Sequence, residues 1–288
     1  MPTLKEIKGR IGSVKSTLKI TSAMKLVSSA KLRKAQRAIE SMRPYEQQLH
    51  RMLTVLQGPP GTSEADFAPA EGRGPWAIVA VSSNSSLCGG FNANVIAKVR
   101  AVRQAGDVVY SIGQKMADAM RKDGFLSPDN YHDLSEHPSY GPAADLVEKL
   151  SADVREGRVG GVALVYNHFV STARQVPVAE VLFDPSAQVP RDDNAVILSD
   201  SEESIGPIIE PSRKELLALL FPKTLKLKLF AALLDSAAAE HAARTVAMQT
   251  ATDNGESLLE ELTLQYNKGR QQKITSEILD LAGGQSES

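Results

Sequence analysis

Apolar residues near the start of the chain fall at Leu4, Ile7, Ile11, Val14 and Leu18, stepping by three or four. They recur at Ala35, Ala38, Met42, Tyr45, Leu49, Met52 and Leu56. This spacing predicts one helix over residues 3–57 with a single narrow apolar seam, as in a coiled coil. Between the two runs Thr21, Lys25 and Ser28 take the seam positions, so the seam is expected to falter there. Pro44 allows a local bend while the apolar spacing continues past it. Such a helix is about 80 Å long at roughly 1.5 Å per residue, longer than a small domain is wide.

The period then changes. Residues 58–75, "GPPGTSEADFAPAEGRGP", read as a linker or loop. "WAIVAVSS" (76–83), "DVVYSIG" (107–113), "GGVALVYN" (160–167) and "VPVAEVLF" (176–183) read as strands, with helices near 92–104, 114–123 and 141–156. Alternating strands and helices predict a parallel or mixed sheet covered by helices. Residues 185–211 are acidic and irregular. Helix returns at Ser212, and Pro222 suits the first turn of a new helix running to Gly283 and Gly284. Its seam can be traced through Phe230, Leu234, Ala237, Met248, Ala251, Leu258 and Leu262, with His241 and Arg244 on the line. Gly255 and Gly269 each cost about 1 kcal/mol relative to alanine in a helix, so tertiary contacts must hold the helix there.

The predicted fold class is therefore α/β, a long antiparallel coiled coil of the terminal helices with a Rossmann-like α/β domain inserted between them. The divisions are a helix over 1–57, a linker over 58–75, a globular domain over 76–211 and a helical segment over 212–288.

Composition narrows the function classes. No apolar run reaches the roughly 20 residues that span a bilayer, and "MPTLKEIKGR" has no apolar signal core. A single cysteine, Cys88, rules out an intrachain disulfide, and a reducing compartment is expected. The formal net charge of -1 hides an asymmetry: residues 1–57 carry twelve Lys or Arg against three Glu, and residues 58–221 carry 14 against 22 acids. Lys19, Lys25, Lys31, Arg33, Lys34 and Arg37 lie within nineteen residues that contain no acid.

Candidate chemistry is sparse. "SSNSSLCGGFNANV" (82–95) leaves a strand and enters a helix, and its Gly89–Gly90 turn could cradle a phosphate. Neither established glycine spacing for nucleotide binding is present, so a tight turn with Cys88 as a small buried hydrophobe is the plainer reading. His132 and Glu136 would share a helix face as metal ligands do, but Asn130 and Pro138 flank what reads as a short polar loop. No catalytic residue, metal ligand or cofactor is expected. The basic helix has three readings: nucleic-acid binding, a membrane surface, or an acidic protein partner. The seam and the scarcity of aromatic residues give no base-reading signature.

Several ordered blocks then resemble the gamma subunit of F-type ATP synthase, over essentially the whole chain. They are "IKGRIGSVKSTLKITSAMKLVSSAKLRKAQ" (7–36), "LCGGFNAN" (87–94), "LVYNHFVST" (164–172), "EHAARTVAMQTATDNG" (240–255) and "LQYNKGRQQKITSEILDLAGG" (264–284). The last holds the signature Ile274, Thr275, Glu277, Asp280 and Gly284. The chain departs from the family at Leu18 and Ser22, where Gln and Lys are more usual, and at 208–211, where an aromatic residue is missing.

The resemblance implies a non-catalytic rotor shaft at the centre of three alpha and three beta subunits. It also implies epsilon and the membrane c ring as partners, with no nucleic acid and no membrane insertion. The expected place is peripheral, on the cytoplasmic side of a bacterial cell membrane. By the same resemblance Met24, Lys25, Arg244, Arg270, Gln271 and Thr275 lie near beta. Lys19, Lys31, Arg33, Lys34 and Arg37 form a basic face toward an acidic beta loop. Ile274, Ile278, Leu279 and Leu281 are expected both to meet the ring and to cover the amino-terminal helix. A coiled-coil adaptor or nucleic-acid-binding protein is the alternative.

Overall fold

The computed structural model describes residues 3–57, 74–125, 127–184 and 212–284. Most of the expected linker and the acidic stretch 185–211 lie outside the described residues. Helix α1 spans Leu4–Gln57. It opens on a capping box, with Thr3 Oγ1 accepting the Glu6 N–H at 3.3 Å and Glu6 Oε2 accepting the Thr3 N–H at 2.9 Å. Helix α6 spans Arg213–Gly284, and Ser212 Oγ accepts the Glu215 N–H at 3.2 Å at its start.

Pro222 does not begin a new helix, contrary to expectation, but lies inside α6. A proline removes one backbone donor, here the partner of the Ala218 carbonyl. The buried residues Leu225, Leu227 and Leu229 follow at once and hold the helix in the core.

The chain forms two compact units, Met1–Ala30 with Arg244–Ser288, and Lys31–Ala243. In the second unit β1 (Ala77–Val81), β2 (Val108–Ile112), β3 (Val162–Phe169) and β4 (Gln175–Phe183) form one sheet in the order β2-β1-β3-β4. β1 pairs parallel with β2 and β3, and β3 pairs antiparallel with β4. Alternation in β1 explains its unbroken apolar run. Ala77, Val79 and Val81 face a core shared with Leu146 and Leu150 of α5 (Tyr140–Arg155) and with Leu229 and Leu233 of α6. Ile78 and Ala80 face the other core, with Val95 and Val99 of α2 (Phe91–Val102) and Met116 and Met120 of α3 (Gln114–Lys122). A strand buried on both faces needs apolar residues at every position.

Two local features differ from the sequence expectation. Residues 132–136 form a one-turn helix, α4 (His132–Glu136), rather than a loop, because Leu134 and Ser135 are buried beneath it. After Pro44 the buried line of α1 runs through Leu49 and Leu53, while Tyr45 and Met52 are 57% and 52% exposed. A straight helix drifts from a seven-residue repeat, and past the proline the buried residues Leu49 and Leu53 lie four apart.

Candidate functional site

The first unit is a helix pair whose register can be read from its contacts. A methyl group at Gly269 would lie 3.1 Å from Leu4 Cδ2, and one at Gly255 would lie 2.7 Å from Leu18 Cδ2. Thr252 Oγ1 donates to Thr21 Oγ1 at 3.0 Å. Fourteen residues separate Leu4 from Leu18, and fourteen separate Gly255 from Gly269 in the opposite direction. The pair is antiparallel, with a spacing of two heptads between matching contacts.

The seam does not falter at Thr21 and Ser28, which are only 8% and 3% exposed. It changes from bulky apolar to small polar, and at Thr21 the hydroxyl that this brings inside is hydrogen-bonded to Thr252. On α6 the facing line runs through Met248, Thr252, Gly255, Leu259 and Leu262, each buried or half-buried. Ala251 and Leu258, expected on the seam, are exposed instead. Glycine and threonine carry no weight in an apolar count, yet here they are the holes into which leucines fit.

This register separates the candidate residues into two levels. Met24 and Lys25 are half-buried and Arg244 is 8% exposed, close to the Thr21–Thr252 level. Arg270, Gln271 and Thr275 are exposed on α6 beyond Gly269, about 30 Å further along by helical rise. Thr275 Oγ1 donates to the Gln271 carbonyl at 2.9 Å, and Glu277 pairs with Lys273 at 3.7 Å. The side chains of Asp280, Leu281 and Gly284 lie outside the described residues, although the helix itself runs to Gly284.

Because α1 begins level with Gly269, residues 270–284 overhang it. Ile274, Ile278 and Leu279 are 45%, 59% and 64% exposed. These three side chains lie beyond the start of the amino-terminal helix, at Leu4, rather than over it. On α1, Ile20, Leu26 and Val27 also point outward, at 57–70% exposure. The basic residue Lys19 is exposed in this unit, and Lys31, Arg33, Lys34 and Arg37 are exposed in the second.

The polar side chains around the Gly89–Gly90 turn are engaged internally. Asn84 Oδ1 accepts the Gln114 N–H at 3.0 Å and Ser82 Oγ accepts the Met116 N–H at 2.8 Å, so the first amides of α3 are engaged. Asn92 Oδ1 accepts the Ser83 N–H at 3.1 Å, and its amide donates to Cys88 Sγ at 3.2 Å. Cys88 is 2% exposed and rests with Phe91 on Ala239 and Ala243 of α6. The thiol should therefore react with a maleimide about 100-fold more slowly in the native chain than in urea. Equal rates in a stopped-flow labelling assay would contradict this burial.

Among the described residues, no helix is long and apolar enough to cross a membrane. A family model described as ATP synthase matches residues 3–286. The ATP synthase gamma chain of Bacteroides fragilis is 45% identical over 293 residues, covering 99% of each chain. That of Phocaeicola vulgatus is 44% identical over 295 residues, again covering 99% of each. Among solved structures, a chain from the Euglena gracilis mitochondrial ATP synthase (OSCP/F1/c-ring, rotational state 3) superposes with a TM-score of 0.69. It covers 98% of this chain and 93% of that one at 19% identity. The rotor of the same enzyme in rotational state 1 gives 0.63, covering 94% and 98% at 18% identity. These structural likenesses concern the fold, while the relatives at 44–45% identity over the full length carry the family. The chain belongs to the ATP synthase gamma-chain family.

Proposed function

We propose that this chain is the central-stalk rotor of an F-type ATP synthase, a non-catalytic subunit that carries c-ring rotation to the catalytic beta subunits. The observation behind this reading is the outward face of the first unit. A helix pair whose seam is already filled by Leu, Thr and Gly still leaves Leu26, Leu264 and Leu279 at 64–70% exposure. Exposed apolar side chains of that size on a narrow element mark a surface meant to be surrounded.

A shaft turning inside a ring changes nucleotide affinity only if its faces bind the ring's conformations with different free energies. The two levels of candidate residues supply such differences. Near Thr21, the side chains of Met24 and Lys25 present a half-apolar, basic face. Some 30 Å away by helical rise, Arg270, Gln271 and Thr275 present hydrogen-bonding groups beside Ile274. Lys19, Lys31, Arg33, Lys34 and Arg37 add attraction to an acidic surface, felt over a Debye length of about 8 Å at physiological salt. In this reading three alpha and three beta subunits surround the shaft. The α/β sheet domain binds epsilon and the c ring, and the assembly sits on the cytoplasmic face of a bacterial membrane.

The test is a tagged pull-down from gently solubilised membranes, with ATPase assay and mass spectrometry of the eluate. The expected result is ATPase activity with alpha and beta chains in threefold excess over this one. Recovery of the chain alone, or with nucleic acid and no ATPase, would sink the rotor reading.

A further inference from the structure

In the second unit, beyond the bulky contacts of Leu225, Leu229 and Leu233, the sheet domain meets α6 across a stretch of small side chains. Cys88 and Phe91 rest on Ala239 and Ala243, and the Phe169 ring packs with Leu32 of α1 against Ala238 and Ala242. Apolar contact with a row of methyl groups is non-directional. Along this stretch it holds two surfaces together but gives little resistance to one sliding around the other. A rotor needs that resistance, because torque entering through the sheet domain must reach the helix without slip.

One side chain at this surface is directional and short. Asp235, on α6, is 17% exposed at its side chain. Its Oδ1 accepts the Phe169 N–H at 3.1 Å, and its Oδ2 lies 2.5 Å from His168 Nδ1. A single carboxylate thus grips two successive residues at the end of β3, one through the backbone. The preceding residue, Asn167, is 1% exposed and donates to the Phe91 carbonyl at 3.0 Å, tying the same strand end to α2.

Among the described residues, further polar ties join α6 to the sheet domain. Lys226 pairs with Glu148 of α5, and Lys228 donates to the Val181 carbonyl at 3.0 Å and lies 3.5 Å from Glu180 of β4. Both reach through long flexible stems, whereas an aspartate with two anchored oxygens has almost no slack.

We infer that Asp235 is the key that locks the α/β domain against rotation about α6, a positioning residue for torque transfer. This inference rests on the rotor reading. Burial pushes the Asp235 carboxyl above its ordinary range, although His168 and the Phe169 amide pull it down and Glu180 of β4 adds to the rise. A neutral amide of the same shape is therefore well suited to the position. Asparagine keeps an oxygen for the Phe169 N–H and can donate to an unprotonated His168 ring.

The experiment compares Asp235→Ala and Asp235→Asn in the assembled ATP synthase. The readouts are the ratio of ATP synthesis to ATP hydrolysis in inverted membrane vesicles and hydrogen exchange at the Phe169 amide in the purified complex. Asp235→Ala should lower the ratio about tenfold and speed exchange about tenfold, the scale of one lost hydrogen bond to a charged group. Asp235→Asn should stay within about twofold of wild type on both readouts.

Wild-type coupling in Asp235→Ala alongside a released Phe169 amide would overturn the inference. Should Asp235→Ala not assemble, His168→Ala removes only the half-exposed ring, and the ratio should fall about threefold; an unchanged ratio would again overturn it. Failure of the rotor reading looks different, because the purified ATPase would then lack this chain altogether.

Discussion

Gly113→Ala will lower the melting temperature of the full chain's α/β unit by about 10 °C or more, and at 37 °C much of the protein will be recovered aggregated. Gly113 joins β2 to α3 at φ 98° and ψ 141°, a backbone region that side chains rarely adopt. A methyl group there would lie 2.3 Å from the Ser82 carbonyl oxygen and 2.8 Å from both Ser82 C and Oγ. The obstacle is backbone, so no rotamer change relieves it. It is also fixed in place. The Ser82 N–H donates to the Ile112 carbonyl at 2.8 Å, and the Lys115 N–H donates to the Ser83 carbonyl at 3.1 Å. Moving Ser82 would break the junction that sets β1 beside β2 and starts α3.

Strain of about 1–3 kcal/mol from the backbone region and a similar overpacking term together approach a typical domain's stability. For a unit of this size each kcal/mol moves the midpoint by about 2–4 °C. Gly90→Ala is the matched control, because its nearest neighbours are Asn94 side-chain atoms at 3.4 Å and beyond, and its φ is an ordinary helical −79°. Thermal unfolding followed by circular dichroism reads both. A Gly113→Ala midpoint within about 2 °C of wild type would show that the β1–β2 junction yields more easily than its hydrogen bonds imply.

This junction marks a boundary in what the chain discloses without coordinates. The strands were legible because burial on both faces demands runs such as AIVAV, and α2, α3 and α5 because their apolar residues recur with helical period. The order β2-β1-β3-β4 was not legible, since it depends on which way each crossover passes rather than on any local pattern. Residues 225–229, LKLKL, alternate as a strand would, yet they lie in α6. There Leu225 and Leu229 enter one core, and Lys226 and Lys228 reach out to Glu148 and Glu180. Tertiary burial on two sides overrides the period.

The shaft residues show a different division. Those pointing outward were reached through resemblance, because their partners lie on other chains and leave no trace in this chain's periodicity. The seam residues Thr21, Ser28 and Thr252 were missed as core because an apolar count treats a buried threonine as a gap. That Met24 and Arg270 sit at separate levels follows only from the register, and the register became visible where two glycines meet two leucines.

The second large effect tests that register directly. Gly255→Leu should destabilise the first unit by about 2–3 kcal/mol, and adding Leu18→Ala should restore roughly 2 kcal/mol of the loss. The wild-type contact is a leucine seated in a glycine hole, with a methyl at Gly255 only 2.7 Å from Leu18 Cδ2 and 3.3 Å from Leu18 Cγ. A branched four-carbon side chain cannot fit there unless the helices separate, and overpacking of that kind costs about 1–3 kcal/mol despite the gain in helix propensity. Reversing the sizes returns the volume to the same place from the other helix, so the two changes should be strongly non-additive. Gly269→Ala gives the scale from below. Its methyl would meet only the flexible end of Leu4 at 3.1 Å, and a helix-propensity gain of about 1 kcal/mol should offset that contact. Amide exchange across 244–270 in the full chain measures all four variants, and additive effects of Leu18→Ala and Gly255→Leu would refute the register. ATP synthesis by the same variants then separates two demands on the shaft. The swap alters only the seam and leaves Ile20, Leu26 and Arg270 facing outward, so activity should recover together with stability. Recovery of stability without activity would mean that the shaft's working surface depends on how closely its two helices approach.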